Sequence, residues 1–142
     1  QPSAMTDITL TSSIEQPATQ ATPEVNFDFS AHRLVLKGEA YPENAAAFFR
    51  PLLQAIENWL QDKPTTDEPV RLHVALSYFN SSSTKLLFEL FECLNGFAKG
   101  GIACELHWYY DEEDDISEEF GQELRIDFPS LAVFLIPDLD AC

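Results

Sequence analysis

Basic residues are scarce in this chain. It carries 8 Lys and Arg against 24 Asp and Glu, for a formal net charge of −16. Most of such a surface repels nucleic acid and anionic membranes, so a basic patch on a protein partner is the expected complement. No apolar run approaches the roughly 18 residues that a membrane span needs, and no secretory signal is visible at the N-terminus. We therefore expect a cytoplasmic protein that neither binds nucleic acid nor inserts into a membrane.

Cysteine is also sparse. The three cysteines, Cys93, Cys104 and Cys142, are odd in number and show no CxxC spacing. This pattern indicates reduced thiols rather than a disulfide framework. Cys93 lies in an apolar helical stretch and Cys104 in a strand-like one, so we expect both to be small core residues.

The residue patterns of common catalytic and metal sites are missing. His32, His73 and His107 are dispersed, without HExxH or another paired metal spacing. There is no GxSxG nucleophile elbow, no GxxxxGK[ST] phosphate loop and no GxGxxG turn. The acidic run at 111–115 does not fit an EF-hand. The sequence therefore predicts no catalytic residue, no metal site, no cofactor and no enzymatic activity.

The chain is suited to one folded domain. Its 142 residues are 45% apolar and include 11 Phe, enough for a sizeable core. Residues 1–22, rich in Thr, Ser, Gln and Pro, are expected to form a flexible arm, with a possible edge strand at 6–11. Met5 is the expected natural start, which makes residues 1–4 an expression remnant. The folded domain is expected at 23–137, followed by a C-terminal tail at 138–142.

Apolar periodicity predicts an α/β fold. Period-two alternation predicts five strands, at 25–29, 34–36, 70–78, 102–110 and 131–136. Helical spacing predicts two long helices, from the N-cap Asn44 to residue 61 and over 86–97, and a short one near Ser117. Pro51 should either kink the first helix or mark its first turn. The order predicts a single mixed sheet of about five to six strands, with an N-terminal hairpin, a parallel portion and a central strand at 70–78.

The turn at 80–85, Asn-Ser-Ser-Ser-Thr-Lys, joins a predicted strand to a predicted helix. One interpretation is that Ser82 or Ser83 caps the helix by accepting an unpaired backbone N–H. The other is phosphorylation, because a helix N-terminus tolerates a phosphate while the added charge changes the face that a partner meets. The chemistry leaves four hydroxyls open as the acceptor.

The run at 108–115, Trp-Tyr-Tyr-Asp-Glu-Glu-Asp-Asp, also has two interpretations. Most charge runs are solvated faces of the fold. Exposed Trp and Tyr beside charge are also typical of protein docking surfaces. On the second interpretation Trp108, Tyr110 and Asp111 would contact a partner.

Three segments together resemble the SiaC family of bacterial regulatory phosphoproteins, over residues 22–137. They are Thr22–Val25 leading to Gly38–Asn44, then Tyr78–Lys85, then Trp108–Asp111. The resemblance implies a fold like that of STAS-type anti-sigma-factor antagonists, with a sheet backed by helices. It also implies a partner-switching adaptor that, when unphosphorylated, binds and activates a diguanylate cyclase, which promotes cyclic di-GMP synthesis and biofilm formation. An adaptor for another target, such as an anti-sigma factor, is the alternative.

The resemblance also implies the site. Family members are phosphorylated by a serine/threonine kinase on the hydroxyl residue after the Asn of this turn, and dephosphorylated by a metal-dependent phosphatase. That residue is Ser81 here, where a known member has Thr. Ser82, Ser83 and Thr84 are rival acceptors. The expected partner-binding residues are Asn80, Ser82, Lys85, Glu89, Trp108, Tyr110 and Asp111.

Overall fold

Alternating apolar residues build one six-stranded sheet in the computed structural model, which describes residues 13–62 and 68–142. The strands are β1 (Ser13–Gln16), β2 (Glu24–Asp28), β3 (Arg33–Ala40), β4 (Val70–Phe79), β5 (Cys104–Tyr109) and β6 (Ala132–Ile136). The helices are α1 (Ala45–Gln61), α2 (Ser81–Lys99) and α3 (Asp115–Asp127), with a 3-10 turn at Leu139–Ala141. The predicted α/β class, the five predicted strands and the three predicted helices are confirmed.

The sheet is mixed, and its strands lie in chain order from β1 to β6. The pairs β1–β2 and β2–β3 are antiparallel, whereas the three pairs from β3 to β6 are parallel. A parallel connection needs a crossover, and each of the three crossovers contains one helix. β4 lies inside the sheet, between β3 and β5, as its length predicted.

One face of the sheet is buried under the helices. Alternate residues of the inner strands are fully buried there, among them Leu34, Leu72 and Leu106. Phe27, Phe91, Ile56 and Trp108 are among the largest fully buried side chains. Successive right-handed crossovers that advance in one direction return every helix to the same side, so one face holds the core and the other stays open.

The folded chain begins earlier than the predicted boundary at residue 23. β1 lies within the segment predicted as a flexible arm, and it pairs with β2 so that Ile14 is opposite Phe27. The Tyr41 backbone N–H donates to the Ala21 carbonyl at 2.8 Å and fixes the connection. Ile14 is the only apolar residue of β1, and a single apolar residue cannot show the period-two alternation that predicts a strand. The strand proposed at 6–11 and the remnant at 1–4 lie outside the described residues.

The predicted C-terminal tail also contacts the sheet. Its 3-10 turn packs against β4 and β5, and Lys37 Nζ donates to the Cys142 carbonyl at 3.4 Å. Val35, Ala75 and Tyr109 are consequently buried on the face that has no helices.

Helix boundaries follow their capping residues. Asn44 accepts a hydrogen bond from the Ala47 N–H at 3.0 Å, which confirms it as the N-cap of α1. Pro51 lies inside α1 and not in its first turn. α2 ends at Lys99 with Gly100 as its C-cap, and Gly101 has φ +108°, a conformation that glycine adopts without strain.

A row of rings crosses the open face. His73, His107 and Phe134 are in register on β4, β5 and β6, with successive ring centroids 4.5 and 4.8 Å apart. His73 Nδ1 lies 2.8 Å from the Tyr109 hydroxyl, and His107 Nε2 lies 2.9 Å from a Glu105 carboxylate oxygen. Burial, followed by the positive potential of His107, lowers the pKa of His73 to about 4. His73 is therefore neutral at physiological pH.

Two glycines provide a matched test of packing. A Cβ at Gly121 would lie 2.7 Å from both Leu135 and Trp108, whereas a Cβ at Gly96 meets nothing within 4 Å. We expect Gly121→Ala to lower the free energy of unfolding by about 1–3 kcal/mol through overpacking. Gly96→Ala, inside α2, should raise it by about 0.5–1 kcal/mol. Denaturant titration measures both, and equal stabilities for the two variants would contradict this packing.

His73 should make folding stability depend on pH. The unfolded chain takes up a proton at His73 below its ordinary pKa of 6.5, whereas the folded chain does so only near 4. The stabilising contribution is thus complete above pH 6.5 and is lost as the pH falls towards 4. Melting temperature across this window should fall more steeply for the wild type than for His73→Gln. Parallel curves would show that His73 has no such role.

Candidate functional site at the start of helix α2

The turn at 80–85 lies where the carboxyl end of β4 meets the start of α2. Asn80 is extended, with φ −86° and ψ 175°, and the helix begins at Ser81. The Asn80 N–H donates to the Ala40 carbonyl at 3.0 Å, which ties the turn to the end of β3. The first turn of α2 is thereby held at the carboxyl edge of the parallel strands.

Asn80 caps α2. Its side-chain oxygen accepts from the Ser83 N–H at 2.9 Å, and its carbonyl accepts from the Thr84 N–H at 2.9 Å. The expectation that Ser82 or Ser83 is the cap is therefore wrong. The N-cap requires a non-helical backbone with a side-chain acceptor that reaches the third helical N–H, and Asn80 meets both conditions.

The four hydroxyls differ sharply in accessibility. Ser81 and Ser82 are exposed, whereas Ser83 is 0% exposed. Thr84 is half-buried, and its hydroxyl donates to the Asn80 carbonyl at 3.1 Å. The buried Ser83 Oγ has no hydrogen-bond partner within the described chain. Only the first two hydroxyls can reach another molecule without a change in the helix.

The site is electropositive at its backbone. In residues 13–62 and 68–142, the Ser81 and Ser82 N–H groups form no hydrogen bond. These are the unpaired donors of a helix N-terminus, where the macrodipole favours negative charge. Lys85 is exposed one turn further along. The position can therefore accommodate a dianionic phosphate.

The charge of Glu89 is partly neutralised, and its side chain is only partly accessible to solvent. It forms an ion pair with Arg50 of α1, at 3.2 Å, and its side chain is 31% exposed.

Tyr78, just before the turn, is 52% exposed and packs edge-on against Tyr41 at 5.8 Å. Tyr78 lies beyond Leu76, the last buried residue of β4, and so belongs to the exposed end of that strand.

Trp108 and Tyr110 are not exposed docking residues, and that expectation is wrong. They are 1% and 6% exposed. Trp108 Nε1 donates to the Ser117 carbonyl at 3.0 Å, so it joins β5 to the first turn of α3. The period-two alternation of β5 places both rings on the face that the helices cover, with Leu106. Asp111, just beyond, is exposed.

Part of the acidic run has a structural role. The Asp114 carboxylate accepts from the Ser117 N–H at 3.0 Å and caps α3. The Asp111 carboxylate accepts from the Glu113 N–H at 2.9 Å.

Within the described ranges, no three His, Cys, Asp or Glu side chains are grouped so as to hold a metal ion. Within the same ranges, no helix is both long enough and apolar enough to cross a bilayer.

No disulfide joins Cys93, Cys104 and Cys142, all of which lie within the described residues. Cys104 is buried, as expected, whereas Cys93 is half-buried. Burial, reinforced by Glu57, raises the pKa of Cys93 to about 12, so it carries no thiolate at neutral pH. Burial also raises the pKa of Cys142. Neither of these two thiols has the character of a nucleophile.

Comparison with known proteins decides the family. The family model described as SiaC family regulatory phosphoprotein matches residues 16–138. The chain belongs to the SiaC family. An uncharacterised protein of Pseudomonas aeruginosa strain UCBPP-PA14 is 33% identical over 116 residues, which cover 82% of this chain and 90% of that protein.

Solved structures agree with the family assignment. The crystal structure of apo-SiaC from Pseudomonas aeruginosa is 31% identical, with a TM-score of 0.79, over 88% of this chain and 98% of the other. SiaC from the same organism, solved in complex with the diguanylate cyclase SiaD that it activates, is 32% identical with a TM-score of 0.75. That match covers 86% of this SiaC family chain and 98% of the other.

The Asn80 cap generates a stability prediction. Asn80→Ala removes the acceptor of the Ser83 N–H and should cost about 1 kcal/mol of unfolding free energy. Asn80→Asp keeps an oxygen there and should retain most of the stability. Ser82→Ala, at an exposed hydroxyl that does not cap, should change it by less than about 0.5 kcal/mol. Urea denaturation of the three variants checks this order, and a larger loss in Ser82→Ala would assign the cap to Ser82.

Proposed function

We propose that the unphosphorylated protein binds and activates a diguanylate cyclase, and that phosphorylation of Ser81 ends this interaction. The likeness to SiaC in complex with diguanylate cyclase SiaD carries the proposal. In this scheme a serine/threonine kinase adds the phosphate and a metal-dependent phosphatase removes it, both in the cytoplasm. The protein itself is an adaptor and catalyses no reaction.

The choice of Ser81 has support from accessibility. A kinase must bring the acceptor oxygen in line with a γ-phosphate, so the hydroxyl has to be exposed. Burial argues against Ser83, and the hydrogen bond to the Asn80 carbonyl argues against Thr84. Ser82 is exposed as well. The resemblance to the family, in which the acceptor directly follows the asparagine, favours Ser81 over Ser82.

A phosphate on Ser81 would change the surface more than the fold. It adds about −1.5 to −2 charges at neutral pH. The unpaired N–H groups and the helix macrodipole stabilise that charge at the start of α2. A partner that contacts this end of the helix would meet a dianion in place of a neutral hydroxyl. Such a site can alternate between two charge states while the domain stays folded.

Substitution at Ser81 tests the switch. We expect Ser81→Asp to weaken cyclase binding at least tenfold, about 1.4 kcal/mol, while the melting temperature stays within a few degrees. Ser81→Ala should bind like the wild type and should no longer accept phosphate. Titration calorimetry with the purified cyclase, and cyclase activity measured with each variant, provide the two readouts.

Ser82 is the matched control, since it is equally exposed and adjacent in sequence. Incubation with the kinase and ATP, followed by intact-mass measurement, should add one phosphate to the wild type and to Ser82→Ala but none to Ser81→Ala. A phosphate retained in Ser81→Ala and lost in Ser82→Ala would move the acceptor to Ser82. Equal cyclase binding by Ser81→Asp and Ser81→Ala would remove the switch.

A further inference from the structure

An apolar groove lies on the outer surface of the helices, and we call it the α2 groove. It is a shallow, open depression of about 710 Å³, lined by Leu53 of α1, Phe88 of α2 and Phe128 at the end of α3. Phe88 is 37% exposed and stacks on Phe120 at 5.5 Å. Beyond that stack, Ile116 is 83% exposed. Exposed apolar side chains grouped in this way are typical of a protein interaction site.

The rim of the α2 groove is strongly acidic. Carboxylates line the groove and its extension towards Ile116: Glu57, Glu89, Glu92, Asp127, Glu119 and Glu123. In the part of the chain that the structure describes, Arg50 is the one cation that pairs with any of them, at Glu89. The other five carry uncompensated charge, which favours a partner with Lys or Arg at this position.

The opposite end of the α2 groove is positive. Ser81, Lys85, Phe88 and Glu92 follow the spacing i, i+4, i+7 and i+11, so they share one face of α2. Lys85 lines the groove, and the unpaired N–H groups of the first helical turn lie beside it. The rise from Ser81 to Phe88 is about 10 Å. This distance is close to the Debye length of roughly 8 Å in physiological salt, so salt screens a charge at Ser81 only in part at the position of Phe88. The groove thus has a cationic end at Lys85, one turn from Ser81, and acidic side chains along the rest of its rim.

We propose that the α2 groove binds a segment of the diguanylate cyclase with a matching charge order. The segment has apolar side chains at its centre, over Phe88, a carboxylate at the Lys85 end and Lys or Arg along the acidic rim. This inference rests on the proposed function, since it takes the cyclase as the partner. It adds which surface of this chain the partner covers and which charges the partner carries.

The direction of the switch requires this charge order. A uniformly basic segment would bind more tightly once Ser81 carried a phosphate, because the phosphate adds negative charge. A segment with a carboxylate near Lys85 is released, since the phosphate pairs with Lys85 at i+4 and so takes away the cation that the carboxylate needs. Lys85 is therefore the residue through which the phosphate acts on the partner.

Charge reversal tests the inference with the unphosphorylated full chain and the purified cyclase. We expect Lys85→Glu to lower the affinity about tenfold, and the double variant Glu92→Lys, Asp127→Lys to lower it by a similar factor. Both rim residues of the double variant are exposed, so the fold should be retained, with melting temperature as the check. Glu15→Lys, on β1 at the far edge of the sheet, is the control and should bind within twofold of the wild type.

A second readout is whether the effects of substitutions at Ser81 and Lys85 on cyclase affinity depend on each other. If the phosphate acts through Lys85, Ser81→Asp should lose little further affinity once Lys85 is Gln, so the two effects will not add. Additive losses would overturn the role of Lys85. Rim variants that bind like Glu15→Lys, while Ser81→Asp still weakens binding, would overturn the groove and leave the proposed function standing.

Two further outcomes would reassign the surface. Failure of the wild type to bind the cyclase at all would overturn the proposed function and this inference together. Self-association of the wild type, measured by sedimentation and abolished by the Glu92→Lys, Asp127→Lys variant, would assign the groove to a second copy of the chain and overturn the cyclase segment.

Discussion

The strands from β3 to β6 lie in chain order, and the architecture depends on this constraint. Each right-handed crossover then returns its helix to the same face of the sheet. One face consequently receives the main core, including Trp108 and Phe91, while the other carries His73 and His107 beside Tyr109 and Phe134. The same arrangement brings the starts of α1, α2 and α3 to one edge, where the chain leaves the carboxyl ends of β3, β4 and β5.

That edge is where the proposed phosphorylation would act. The first turn of a helix always presents unpaired N–H groups, and Asn80 satisfies one of them while Ser81 and Ser82 keep theirs. A charge added there costs the fold little because the donors already face solvent. The outer face of α2 runs from this turn to Phe88 and the acidic rim. A charge added at Ser81 and the apolar surface at Phe88 therefore lie along the same helix.

Prediction from the sequence worked best where pattern and burial coincide. Period-two alternation located β2 to β6, and Asn44 was identified as a cap from its place before an apolar helical pattern. It failed for β1, whose single apolar residue Ile14 gains its burial from pairing with Phe27. It also failed for Trp108 and Tyr110, which were expected beside solvent because acidic residues follow them. Alternation along the chain places them on the same face as Leu106, and the helices that pack on that face bury them, with Trp108 bonded to the Ser117 carbonyl of α3.

The sequence by itself determined the class of fold, the acidic character and the family, because these depend on composition, periodicity and local motifs. It also narrowed the candidate site to one turn with four hydroxyls. Only the tertiary structure distinguished those hydroxyls, since the packing of α2 against the sheet buries Ser83 and leaves Ser81 and Ser82 in solvent. The α2 groove likewise exists only in the folded state, because Leu53, Phe88 and Phe128 come from three helices and become neighbours through packing.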